Sequence, residues 1–132
     1  MANNINVSLD TSVSPNVLDV EDNGGQNKVG KSDQKQVITW HLKGVLAQGS
    51  FLPMDGSGDK GFEWQQAPKD GIFGDAELGS SKNSLSITDL HKDSTTDGEW
   101  VYILRVSYKG QVYTTTASLP IGTSNNPIII NH

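Results

Sequence analysis

The chain of 132 residues contains no cysteine. That absence removes disulfide frameworks, thiol nucleophiles, cysteine-ligated zinc and the type 1 copper site, which needs a thiolate. Basic residues are in the minority: ten Lys and Arg stand against fifteen Asp and Glu, a formal charge of -5. A chain of that sign is not expected to bind nucleic acid, because phosphate attraction dominates such affinity. No apolar run approaches the ~20 residues of a membrane-spanning helix, so no membrane partner is expected. The start Met1-Ala2-Asn3-Asn4 lacks the basic and apolar regions of a signal peptide. The expected location is the cytoplasm, or outside the cell if a leader has been removed. The length corresponds to one domain, 1–132, large enough to bury a core without covalent staples.

Helical periodicity is also missing. Apolar residues alternate instead: Ile5, Val7 and Leu9 with Asn6 and Ser8; Leu85 and Ile87 with Ser84, Ser86 and Thr88. Trp100, Tyr102, Leu104 and Val106 make one face of a longer run, and Val101, Ile103, Arg105 and Ser107 make the other. A period of two rich in Val, Ile, Thr and aromatics is the pattern of strands. Strands are expected over 4–9, 16–21, 36–42, 61–66, 72–78, 84–88, 99–108 and 111–117, with a last one at 127–131. Gly-rich and Asn/Asp-rich punctuators separate them, among them Asp55-Gly56-Ser57-Gly58, Asp70-Gly71 and Asp97-Gly98. The stretch 23–35 is polar, has little apolar anchorage beyond Val29, and is read as a flexible loop. The best candidate for helical structure is a short turn at Asp89-Leu90-His91-Lys92.

The clearest local feature is a hairpin. Glu99 to Tyr108 runs out, Lys109-Gly110 turns, and Gln111 to Ala117 returns. This register sets Val106 opposite Tyr113 and Leu104 opposite Thr115, and it turns the Trp100/Tyr102 face toward the core. The run Ile128-Ile129-Ile130 is expected to pair within the monomer, since an unpaired strand of that composition is an aggregation hazard. Many short strands with turns at short spacing predict an all-β fold, an antiparallel Greek-key β-sandwich of eight or nine strands.

Two stretches resemble immunoglobulin-like domains. Leu85-Ser86-Ile87-Thr88-Asp89-Leu90, then Asp97-Gly98-Glu99-Trp100-Val101-Tyr102, is similar to an E strand, the E–F turn and an F strand. Phe62-Glu63-Trp64-Gln65-Gln66-Ala67-Pro68-Lys69 resembles a C strand with its Gln/Pro-rich exit. The likeness covers about a third of the chain. Both strand cysteines of that family are missing, Gly98 follows Asp97 directly, and Trp40 sits in the region of the B-strand cysteine. The resemblance implies a sandwich whose two sheets are held by Trp40, Trp64, Trp100 and aliphatic faces. A cupredoxin-like sandwich without its copper site fits the same pattern.

Three motifs bear on function. Gly25-Gln26-Asn27-Lys28-Val29-Gly30-Lys31-Ser32 satisfies the P-loop expression, with Gly25, Gly30, Lys31 and Ser32 at the defining positions. A working P-loop follows a buried parallel strand and opens a helix, so that backbone N–H groups and the lysine cradle phosphates. Here Val37-Ile38-Thr39-Trp40 follows and reads as strand, so the string is taken as a chance match in a Gly/Lys loop. Asp55, Ser57 and Asp59 alternate oxygens with glycine, as a calcium loop does. Lys60 and Gln66 break the EF-hand register, and a solvated turn is the default reading. Tyr108 and Tyr113 flank the hairpin turn and are candidates for stacking against a sugar or a peptide. His41, His91 and His132 are scattered, there is no Gly-x-Ser-x-Gly elbow, and no catalytic set is assigned.

The expectation is a non-enzymatic binding or structural module that needs no cofactor. It would take a protein or a small ligand through a sheet edge, a mixed face or long loops. A calcium- or carbohydrate-binding module is the alternative, and nucleotide binding through 25–32 is the third reading. Composition leaves the oligomeric state open.

Overall fold

In a computed structural model of the chain, residues 2–11, 17–21, 26–54, 60–65, 68–115 and 127–132 are described. Eleven strands occur among them: β1 (Ala2–Asp10), β2 (Val17–Glu21), β3 (Gln26–Val29), β4 (Gln36–Leu42), β5 (Ser50–Phe51), β6 (Phe62–Trp64), β7 (Glu77–Leu78), β8 (Ser84–Asp89), β9 (Gly98–Tyr108), β10 (Gln111–Thr114) and β11 (Ile128–Asn131). The described residues contain no α-helix; two 3₁₀ turns lie at Gly44–Gln48 and Ser94–Thr96.

The fold is all-β and has two sheets. The first runs β2-β1-β4-β8-β7. The second is built on the long strand β9, which pairs with β10 and β11 along one side and with β5 and β6 along the other, while β3 joins beyond β11. Both sheets are mixed, which corrects the antiparallel expectation: β1 runs parallel to β4, and β3 runs parallel to β11. The reason is connectivity. β1 first folds back on β2, and the chain passes through β3 in the other sheet before returning as β4 on the free side of β1.

Alternation decides burial. In β4, Ile38, Trp40 and Leu42 are buried, whereas Val37 is exposed and Thr39 and His41 are half-buried. In β9, Tyr102, Leu104 and Val106 have no exposed surface. Val106 stands opposite Tyr113, and the Thr115 N–H donates to the Leu104 carbonyl at 3.2 Å, in the register read from the sequence. The turn residues Lys109 and Gly110 both take positive φ, 50° and 78°. That is the type I′ geometry whose twist matches the two strands.

Three differences from the sequence reading have physical causes. β3 falls inside the stretch read as loop; Val29 is buried, and Ile128–Asn131 supplies the backbone partners that a polar segment could not advertise. The expected strand 72–78 shrinks to β7 and an isolated bridge between Phe73 and Asp89, with Gly74 and Asp75 exposed between them. Asp89, placed in a turn by the sequence reading, is the last residue of β8, and the helical turn comes five residues later. The run Ile128–Asn131 pairs inside the chain, antiparallel to β9 and parallel to β3.

The buried side chains of both sheets meet in one core, with Ile5, Ile38, Trp40 and Leu85 from the first and Phe62, Tyr102, Leu104 and Ile129 from the second.

Candidate functional site

Two regions of the described structure concentrate polar chemistry and accessible apolar surface. The first begins in the core. The Trp40 indole Nε1 donates to the Tyr102 hydroxyl at 2.9 Å, a hydrogen bond from one sheet to the other with both side chains wholly buried. Their rings meet edge-on with centroids 5.2 Å apart, and Phe62 lies 5.3 Å from each. From Phe62 the contacts continue to Trp64 at 4.9 Å, Phe73 at 4.8 Å beyond it, and Trp100 at 5.3 Å beyond that. Exposure rises along this row: Trp40, Phe62 and Tyr102 are buried, and Trp64, Phe73 and Trp100 are half-buried. Trp100 covers Gly98 so closely that a Cβ there would stand 2.7 Å from the indole.

Where the row approaches the surface, a cleft opens. One hollow of about 410 Å³ is lined by Phe62, Trp64, Ala76 and Ile87, with Lys60, Glu63 and Asp75 among its polar residues. An adjoining hollow of about 500 Å³ is lined by Pro53, Met54, Ala76, Leu78, Glu77 and Lys82. The two share Met54 and Ala76. The cleft exists because β6 and β7 are short: three and two residues of strand leave side chains of the interior uncovered. Among the described pairings, β6 pairs only with β9 and β7 only with β8. The rim carries both signs. Arg105 donates to Glu63 Oε1 at 2.6 Å and to the Lys60 carbonyl at 3.1 Å, which fixes one wall.

The second region lies where β8 and the following turn meet β11. His91 is fully buried. Its Nε2 faces the His132 carbonyl at 2.9 Å and Asp97 Oδ1 at 3.4 Å; both are acceptors, so this nitrogen carries a proton. Its Nδ1 faces Thr96 Oγ1 at 2.7 Å. The Thr96 hydroxyl also lies 2.8 Å from the Asp93 carbonyl, an acceptor. Lys31 approaches Asp97 at 3.2 Å from the β3–β4 connection, and the Ser32 N–H donates to the His91 carbonyl at 2.8 Å. Thr, His and Asp are the residue types of a nucleophilic triad. Here the imidazole is sealed from solvent, and the hydrogen bonds of the set tie the turn after β8 to His132 and to the β3–β4 connection. Below it, Asp89 and Asn131 are buried and joined by an Asn131 Nδ2–Asp89 Oδ1 bond of 3.1 Å. Burial pushes the Asp89 carboxyl from 3.8 up to about 6, against the opposing pull of Asn131 and of the nearby His91.

The residues singled out in the sequence are distributed as follows. Gly30, Lys31 and Ser32 lie in the connection from β3 to β4, a strand follows them, and Gly25 lies outside the described residues. Lys31 is committed to Asp97. Asp55, Ser57 and Asp59 lie outside the described residues. Tyr108 and Tyr113 are half-buried and pack against the core at the hairpin end; Lys109 Nζ sits 5.4 Å from the Tyr108 ring centroid, and the Tyr113 hydroxyl donates to Gln111 at 2.8 Å. No group of three or more His, Asp or Glu suited to a metal occurs among the described residues, and no described helix is long and apolar enough to cross a membrane. Sequence reasoning missed Asp89, His91 and Asn131 as a unit. The only local signal was an Asp and a His at the end of an alternating strand. No protein-family model matches the chain, and no curated protein matches it.

Proposed function

We propose that the chain is an immunoglobulin-like β-sandwich serving as a non-enzymatic binding module, with the cleft between β6 and β7 as its site. The order β7-β8-β4-β1 supports this reading because it follows the D-E-B-A order of such domains, and β6-β9-β10 follows C-F-G. β2, β3 and the parallel pairing of β1 are additions to that plan. The Trp40–Tyr102 bond spans the sheets where the family's disulfide would.

The observation that carries the function is the cleft itself. Two short outer strands, with no further strand neighbour among the described residues, flank hollows lined by Trp64, Met54, Ala76 and Leu78. Backbone groups on such edges accept an added strand, and apolar hollows then select alternate side chains. The ligand class is an extended peptide with apolar residues at every second position. Its charges matter less, since the rim carries Lys60 and Lys82 as well as Asp75 and Glu77.

The test is selection of a displayed random-peptide library against the protein, followed by Ala76→Trp, which fills the shared wall of both hollows. Enriched peptides should alternate apolar and polar residues, and should lose binding in Ala76→Trp while keeping it in Val112→Asp on β10. Equal binding to both variants would remove the cleft from consideration. A thermal shift with Ca²⁺, simple sugars or Mg-ATP, in place of peptide binding, would favour the calcium, carbohydrate or nucleotide readings respectively.

A further inference from the structure

We propose that β11 is fastened to the fold by a proton-dependent latch: a proton shared at the Asp89–Asn131 contact closes it, and an ionised Asp89 loosens the strand. The ground is a count of donors. Asn131 has two Nδ2 protons, and both are spent, one on Asp89 Oδ1 at 3.1 Å and one on the Thr96 carbonyl at 3.0 Å. Asp89 Oδ2 and Asn131 Oδ1 are buried and have no donor among the described residues. An ionised carboxylate only accepts hydrogen bonds, so in that state the contact holds two idle acceptors and a buried charge. A proton on Asp89 removes the charge and adds a donor, the one kind of group this contact lacks.

The surroundings do not supply that donor from elsewhere. On β4, the register partner of Asp89 is Gln36, whose Nε2 donates to the Gly30 carbonyl at 2.8 Å. The bridge partner is Phe73, which is apolar. From the turn after β8, His91 favours the ionised form of Asp89 by its charge, but its Nε2 is directed at His132 and Asp97. Asp97 is in turn paired with Lys31 from the β3–β4 connection. Asp93 belongs to the same turn and accepts from Thr95. Burial outweighs these influences and holds the Asp89 carboxyl up at about 6, so the latch closes below that pH and loosens above it.

Loosening has a defined structural result. β11 is the only described strand pairing with β3, and it covers Gly98–Val101 of β9. Releasing it strips β3 of its partner and bares one edge of β9, which makes the strand a pH-gated cover over a pairing surface. This inference is independent of the cleft and of the peptide reading.

The test is amide hydrogen exchange of the native chain at pH 5 and pH 8, corrected for intrinsic rates, with β4 amides as internal reference. The amides of Ile128–Asn131 and His132 should lose protection by about 10-fold at pH 8 relative to β4, the change between pH 5 and pH 8 that a carboxyl raised from 3.8 to about 6 produces. Asp89→Asn keeps a neutral side chain with a donor and should hold full protection at both pH values. Imidazole is the other group type that titrates in this window, so His91→Gln should leave the pH response in place. Equal protection at pH 5 and pH 8 in the native chain, or an undiminished response in Asp89→Asn, overturns the latch. Should Asp89→Asn not fold, ¹³C titration of the Asp89 carboxyl in the native chain decides: a midpoint below about 4.5 overturns it and one near 6 upholds it.

Discussion

Trp40 with Tyr102, and Asp89 with Asn131, each join the first sheet to the second by one buried hydrogen bond. The aromatic joint satisfies its donor and acceptor and surrounds them with rings. The polar joint leaves two oxygens without donors and sits beside a buried imidazole. A satisfied contact without a carboxyl keeps its strength across the acid and neutral range, whereas an under-donated carboxyl makes its strength depend on a proton. The fold therefore has one joint whose strength does not depend on a carboxyl proton, at Tyr102 of β9, and one that is tunable, at Asn131 opposite Gly98 of the same strand.

The contrast can be broken or sharpened by substitution. Trp40→Ala should have the largest effect, a loss of about 3–5 kcal/mol in denaturant unfolding, because it empties the wholly buried centre and removes the Trp40–Tyr102 hydrogen bond. Asp89→Asn comes next and has the opposite sign. An acid raised from 3.8 to about 6 binds more protons folded than unfolded between those values, so native stability falls as pH rises through that window. The rise corresponds to about 3 kcal/mol. Asp89→Asn should then be more stable than the native chain by up to that amount at pH 8 and close to it at pH 4, by urea melts at both. Tyr102→Phe should cost about 1–3 kcal/mol equally at pH 4 and pH 8, since it leaves the Trp40 N–H unpaired; a cost that differs between them would blur the distinction between the joints. Lys31→Ala should matter least, under about 1 kcal/mol, as both partners of the Lys31–Asp97 pair are 43 % exposed.

The aromatic joint was the more legible of the two. Trp40 and Tyr102 stand in strands with a clear period of two, and the face of β9 that carries Tyr102, Leu104 and Val106 was readable from alternation alone. Its hydrogen-bonded pairing was not, because 62 residues separate the partners. The polar joint was hidden for the same reason: 42 residues separate Asp89 from Asn131, and neither residue type announces burial. β3 was hidden differently. Its stability as a strand comes from β11 and the single anchor Val29, not from its own composition. The cleft was invisible because it is made by what β6 and β7 fail to cover, and the sequence reading extended both strands beyond their ends.

The parallel pair β3–β11 also sets an order of events. Gln26 stands opposite Ile128, so Gln26–Val29 waits for a partner that follows it far along the sequence. During synthesis from the N-terminus, β1, β4 and β8 have their partners before β3 does, while Gly98–Val101 of β9 waits for β11 together with β3. Contacts of such long separation close late and slowly. Until they close, Gln26–Val29 is an unclaimed edge, and the strand that claims it is the one whose hold depends on a proton.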